Sequence, residues 1–168
     1  VDPVMTGDGE VYSSSIIRQH LREGRPAKAA ELLGRPWEIE GRVERGEQRG
    51  RTIGFPTANL GLGDFLHPAL GVYAVLAGRD PGVEHGGETQ WLAGVANLGR
   101  RPTVAGEGIR LEVHLFDFTG DLYGEMLRVR LIDFIRPEKK FDGLEALRAQ
   151  IALDCSRARE ILAETAIS

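Results

Sequence analysis

Met126-Leu127-Arg128-Val129-Arg130-Leu131-Ile132-Asp133-Phe134 alternates strictly between apolar and basic residues from Leu127 to Leu131. Leu127, Val129 and Leu131 take one side, and Arg128, Arg130 and Ile132 take the other. That is the two-residue period of a strand with one buried face. Similar short segments, rich in β-branched or aromatic residues, occur at Trp37–Val43, Ala58–Leu60, Val72–Ala77, Thr89–Ala96 and Arg110–Phe116, with Gly or Pro clusters between them. Helical patterns do not alternate with these strands, which argues against a parallel sheet built from βαβ units. Six short strands instead point to a mainly β fold, an antiparallel barrel that removes exposed sheet edges by closing.

Helices are expected on both flanks. Ser13, Ser14 and Ser15 offer N-cap hydroxyls before Ile16, Ile17 and Leu21, and Gly24 stops that helix. Pro26 opens a second short helix that Gly34 and Pro36 end. Towards the C-terminus, Leu144, Leu147, Ile151, Cys155, Ala158 and Leu162 recur every three or four residues. Asp142 and Glu145 supply a capping box for this long helix, whose stripe should pack on the barrel. Residues 1 to 36 are therefore set apart as a helical segment, and 37 to 168 as the barrel domain with its helix.

Composition narrows the function. At roughly 150 residues per domain, 168 residues make one domain. A single cysteine, Cys155, excludes an internal disulfide framework and a Cys-rich zinc site, and is compatible with the cytoplasm. The four histidines lack zinc-helix spacing. No long apolar run or leader-like N-terminus is present, so no membrane association is expected. With 21 basic against 25 acidic residues, no general attraction to nucleic acid follows. Glycine is abundant, 22 of 168 residues. Such abundance suits tight turns or loops whose backbone approaches a ligand.

The chemistry concentrates in Gly41-Arg-Val-Glu-Arg-Gly-Glu-Gln-Arg-Gly-Arg-Thr-Ile-Gly-Phe-Pro-Thr-Ala-Asn59. Its glycines let backbone N–H groups converge on an anion, and its arginines are forks suited to phosphate oxygens. Thr57 and Asn59 are two apart, so in an extended segment their oxygens share a side. Hydroxyl and amide oxygens suit a hard cation such as Mg²⁺. On composition alone, a basic turn with two turn-forming polar residues is the commoner explanation of the same stretch.

The whole of Gly41–Asn59 resembles the signature of the riboflavin kinase family, G-x-V-x-x-G-x-x-x-G-R-x-x-G-F-P-T-A-N, with every fixed position filled. Gly71–Val75, Gly94–Thr103, Leu111–Phe116, Leu122–Glu125 and Phe134–Phe141 resemble further family segments, in family order. The resemblance implies a six-stranded antiparallel Greek-key barrel with a long C-terminal helix. It implies transfer of the ATP γ-phosphoryl group to the riboflavin 5′-hydroxyl, with Mg²⁺ as the metal. By the same resemblance Glu112 is the general base, and Thr57 and Asn59 hold the metal. Gly46, Gly50, Arg51, Thr57, Asn59 and Tyr123 contact the nucleotide. Asn97, Thr103 and Arg136 lie at the riboflavin.

Ser13-Ser14-Ser15-Ile16-Ile17-Arg18 resembles the run that closes the adenylyltransferase module of bifunctional bacterial riboflavin kinase/FAD synthetases. The chain is thus expected to be the kinase half, with a covalently linked adenylyltransferase upstream in the natural protein. Two other readings stay open at this stage: a catalytically silent flavin- or nucleotide-binding barrel, and an interaction module for a synthetase domain.

Overall fold

The computed structural model describes residues 7–44, 57–63, 67–79, 88–103, 106–118 and 120–167. Six strands are present: β1 (Trp37–Glu44), β2 (Ala58–Gly63), β3 (Gly71–Arg79), β4 (Gln90–Thr103), β5 (Gly106–Leu115) and β6 (Met126–Pro137). Three helices flank them: α1 (Gly7–Arg22), α2 (Pro26–Leu33) and α3 (Leu144–Ile167). All six expected strands exist, and β4 runs seven residues beyond the expected Ala96.

The strands close into a barrel in the order β1-β2-β5-β4-β3-β6, every pairing antiparallel. β3, β4 and β5 follow one another, and β6 returns to lie beside β3, which is the Greek-key order. Alternation fills the interior. Leu60, Tyr73, Leu98, Leu111, Leu127, Val129 and Leu131 are buried inside. The opposite face of β3, β4 and β6 carries a second cluster, Val72, Ala74 and Val95, which α3 covers with Ala158, Ile161 and Leu162.

Two helix starts differ from the sequence reading. Ser13, Ser14 and Ser15 lie inside α1, which begins at Gly7, so they do not cap it. In α3 the Gly143 carbonyl accepts the first intrahelical bond, from Leu147 N at 3.2 Å, so Gly143 takes the cap position expected for Asp142. Leu144, at the first helical position, is exposed. α2 does end as expected, with Gly34 left-handed at φ 85° and its N–H on the Ala30 carbonyl.

The helical pair closes one end of the barrel. Ile17 and Leu21 of α1 and Ala29 of α2 form a small core against Trp37. The Leu21 carbonyl accepts from Ala69 N at 2.8 Å, just ahead of β3. No helix among the described residues is long and apolar enough to cross a membrane.

Gly71 opens β3 at φ +149°, a conformation that side chains rarely adopt. A Cβ there would meet the Arg136 carbonyl oxygen, Phe134 Cε1 at 2.8 Å and Pro137 Cα at 2.9 Å. Gly71→Ala is expected to destabilise the chain by roughly 1–3 kcal/mol, read as a lower thermal midpoint. An unchanged midpoint would show that β6 gives way freely here.

Candidate active site

Strand register aligns the polar residues. Asn59 of β2 is opposite Glu112 of β5, and Glu112 is opposite Asn97 of β4. Asn97 is opposite Val72 of β3, and Val72 is opposite Arg136 of β6. One row therefore crosses five strands. The residues next along each strand, among them Leu60, Leu111, Leu98 and Tyr73, face the barrel interior. The row thus lies on the outer face. Neighbouring strands stand about 4.8 Å apart, so Glu112 and Arg136, three strands apart, are separated by roughly 14 Å.

This outer face is not open surface. The connection after β6 and the first turns of α3 fold over it and leave a cleft of about 710 Å³. Thr57, Asn97, Glu112, His114 and Arg136 line it. Val72, Val95 and Ala96 supply apolar wall from β3 and β4. Phe141, Leu147 and Ile151 face them from the connection and α3. The lining thus combines apolar side chains from the barrel and α3 with a larger set of polar and charged ones, a mixture suited to a small-molecule site.

Glu112 is partly exposed and has Arg110 Nη2 3.7 Å from Oε2. A strand carboxylate facing a cleft in this way is placed to accept a proton from a bound hydroxyl. His114, two residues on and facing the same cleft, packs edge-on to Phe116 with ring centres 6.0 Å apart.

Asn59 is 4 % exposed, and its Oδ1 is buried with no hydrogen-bond partner among the described residues. Leaving such an oxygen unpaired costs about 1–3 kcal/mol. A hard cation is a natural partner for it, with the Thr57 hydroxyl one strand repeat away. Among the described residues no group of three or more His, Cys, Asp or Glu side chains forms a metal cage. A metal at this place would therefore depend on neutral protein oxygens and on oxygens of the ligand, which is the donor set Mg²⁺ accepts.

Arg136 is fixed from beneath. Its Nε lies 3.0 and 3.1 Å from the two carboxylate oxygens of Asp154 in α3, and its Nη2 lies 2.8 Å from Oδ2. Gln150 Nε2 donates to Asp154 Oδ1 at 3.0 Å. Asp154 is 3 % exposed and also lines the cleft. Its neighbour Cys155 has its thiol pKa pushed up to about 11, by burial first and by the Asp154 charge second. That thiol is inert at neutral pH, as its place on the packed stripe suggests.

Tyr123 stands elsewhere. It is half exposed on the turn Leu122–Glu125, outside the cleft lining. The turn is pinned to the end of β1 by Gly124 N to the Val43 carbonyl at 3.0 Å and Val43 N to the Glu125 carbonyl at 2.8 Å. Arg79 grips Glu125 through Nε at 2.8 Å and Nη2 at 2.9 Å. Thr103 ends β4, six residues beyond Asn97 and roughly 20 Å along the strand, so the two do not meet. Gly46, Gly50 and Arg51 lie outside the described residues.

Sequence reasoning missed Asp154. Its signal was legible: an acid three residues after Ile151 and four before Ala158, on the buried stripe of a helix. It also passed over Lys139, Lys140 and Phe141, which follow Arg136 into the cleft lining.

The riboflavin kinase (flavokinase) family model matches residues 33–162. The chain belongs to the riboflavin kinase family. The bifunctional riboflavin kinase/FMN adenylyltransferase of Escherichia coli K12 is 47 % identical over 160 residues, 94 % of this chain and 48 % of that protein. The chain thus spans about half the length of the curated relatives it matches. Among solved structures, a macrolide-efflux protein from Streptococcus pneumoniae aligns with TM-score 0.73 at 40 % identity, covering 84 % of this chain and 44 % of that one. The riboflavin kinase of Trypanosoma brucei aligns with TM-score 0.52 at 26 % identity, covering 76 % of this chain and 80 % of that one. The flavokinase match covers the whole barrel and includes each residue of the polar row.

Proposed function

We propose that this chain phosphorylates riboflavin at its 5′-hydroxyl, with ATP as donor, giving FMN and ADP. The observation that carries the reading is the polar row. It sets the Glu112 carboxylate, in register with the buried Asn59 amide, at one end of the cleft and a fixed guanidinium at the other. The separation of roughly 14 Å suits a ring system lying toward Arg136 with its hydroxylated tail reaching Glu112.

In this reading Glu112 accepts the proton of the 5′-hydroxyl. The oxygen then bonds to the γ-phosphorus, and the bond from that phosphorus to the β,γ-bridging oxygen breaks, releasing ADP. Such transfer needs positioning and charge stabilisation more than covalent help from the protein. Thr57 and Asn59 would hold Mg²⁺. When bound, the ion supplies charge neutralisation to the phosphate oxygens. Asn97, beside Glu112 in the row, orients the tail of riboflavin, and the glycine-rich Gly46–Arg51 segment binds the ATP phosphates, with Tyr123 on the nucleotide side. Thr103 is assigned to the riboflavin loop on the family resemblance.

The chain corresponds, on this reading, to the kinase half of the bifunctional relatives, with adenylyl transfer belonging to a linked module. The test is incubation with riboflavin, ATP and Mg²⁺ followed by chromatographic separation of flavins. Metal-dependent FMN without FAD is expected. Riboflavin and ATP binding without FMN would replace the kinase with a silent binder, and FAD formation would overturn the assignment to the kinase half.

A further inference from the structure

We propose that Asp154 is a positioning residue for riboflavin: through Arg136 it sets the hydrogen-bonding edge at the ring end of the cleft. The inference rests on the reading of the cleft as the riboflavin site.

Several observations converge on the pair. Arg136 is brought to the cleft by a β-bulge, since Val72 faces Arg136 while the next residue, Tyr73, faces Phe134. The bulge leaves Ile135 and Arg136 together opposite one residue and re-aims the guanidinium. Asp154 then takes Nε and Nη2 in a fork, and Nη1 donates to the Pro137 carbonyl at 3.1 Å. Three hydrogen bonds, two to one carboxylate and one to a carbonyl, hold the plane of the guanidinium. The ring of Phe141 lies 5.6 Å from its central carbon. A long side chain that is free to rotate must be ordered when a ligand arrives, whereas this one is ordered beforehand.

The carboxylate also matters for its charge. Side-chain exposure is 18 % for Arg136 and 4 % for Asp154, so the two charges cancel at short range in a dry wall. The pair offers N–H donors to neutral ring carbonyls without presenting a free cation to the polyanionic co-substrate. The pair itself therefore suits a neutral, planar acceptor-bearing ligand, while Glu138, Lys139 and Lys140 line the cleft beside it. The Glu112 end remains open to the phosphates.

The experiment uses the whole chain. Riboflavin affinity is read from quenching of flavin fluorescence, and steady-state constants from FMN formation. Asp154→Asn keeps the shape but loses the charge and one acceptor. Its riboflavin Kd and KM are expected to rise on the order of tenfold, the loss of one charged hydrogen bond. The ATP KM should be unchanged, and in an Arg136→Leu background Asp154→Asn should add nothing. Unchanged riboflavin constants in a folded Asp154→Asn would overturn the proposal, and so would an equal rise in the ATP KM. If Asp154→Asn does not fold, Arg136→Leu with Asp154→Leu removes both charges together. That folded double variant is expected to lose riboflavin affinity, and retained affinity would overturn the proposal. Wild-type chain that makes no FMN would instead sink the kinase reading itself.

Discussion

Glu112→Gln is expected to slow FMN formation by roughly two to four orders of magnitude with riboflavin and ATP binding almost unchanged. The amide keeps the size and one acceptor oxygen of the carboxylate but cannot take the hydroxyl proton. Only the interaction formed in the transition state is lost, so kcat falls and the binding constants stay. The fold should tolerate the change. Glu112 lies 3.7 Å from Arg110 and is partly exposed, and such pairs contribute little to stability. Single-turnover FMN formation, flavin fluorescence and a thermal melt together check the outcome. A variant within tenfold of the wild-type rate would remove Glu112 as the base, and His114 on the same face would be the next residue to test.

Arg136→Ala is expected to act through stability first. It strands the Asp154 carboxylate, 3 % exposed and left with only the Gln150 amide among its described side-chain partners. An uncompensated buried charge of this kind costs about 3–5 kcal/mol, or roughly a 10 °C lower midpoint for a domain of this size. Adding Asp154→Asn should recover most of that loss, because the stranded charge is then gone. Recovery of stability without recovery of riboflavin binding would separate the two roles of Arg136. A single variant that melts with the wild type would show that α3 shifts to let solvent reach Asp154. Denaturant unfolding at neutral pH measures both.

The strands were legible because alternation is a local signal. Leu127, Val129 and Leu131 announce the buried face of β6, and the structure puts all three in the barrel interior. Glu112 alternates with the buried Leu111 and Val113, and in the structure it lies outside the barrel and lines the cleft. The helix starts were less legible. Serines and an Asp/Glu pair cap helices in many chains, but here the serines lie inside α1 and Gly143 stands just before α3. The long tail of β4 was missed because Asn97, Gly99 and Pro102 read as a loop, although pairing with β5 continues through Thr103. Cross-strand hydrogen bonds outweigh weak propensity there.

The sequence by itself determined the fold class, the six strands, the packed C-terminal helix and the candidate residues of the family motifs. Fold class, strands and helix follow from periodicity along the chain, and the candidate residues follow from the family resemblance. Only the tertiary structure decided which candidates meet. β6 carries two register shifts, at Val72/Tyr73 and Ala74/Val75. One turns Phe134 inward, against the alternation that holds up to Ile132, and the other turns Arg136 back out. Closure then aligns Asn59, Glu112, Asn97 and Arg136, spread over 78 positions of the chain, into one row. The fold of α3 across that row brings Asp154 beneath the guanidinium. A bulge and a cross-strand register depend on partners distant in sequence, so no local pattern records them.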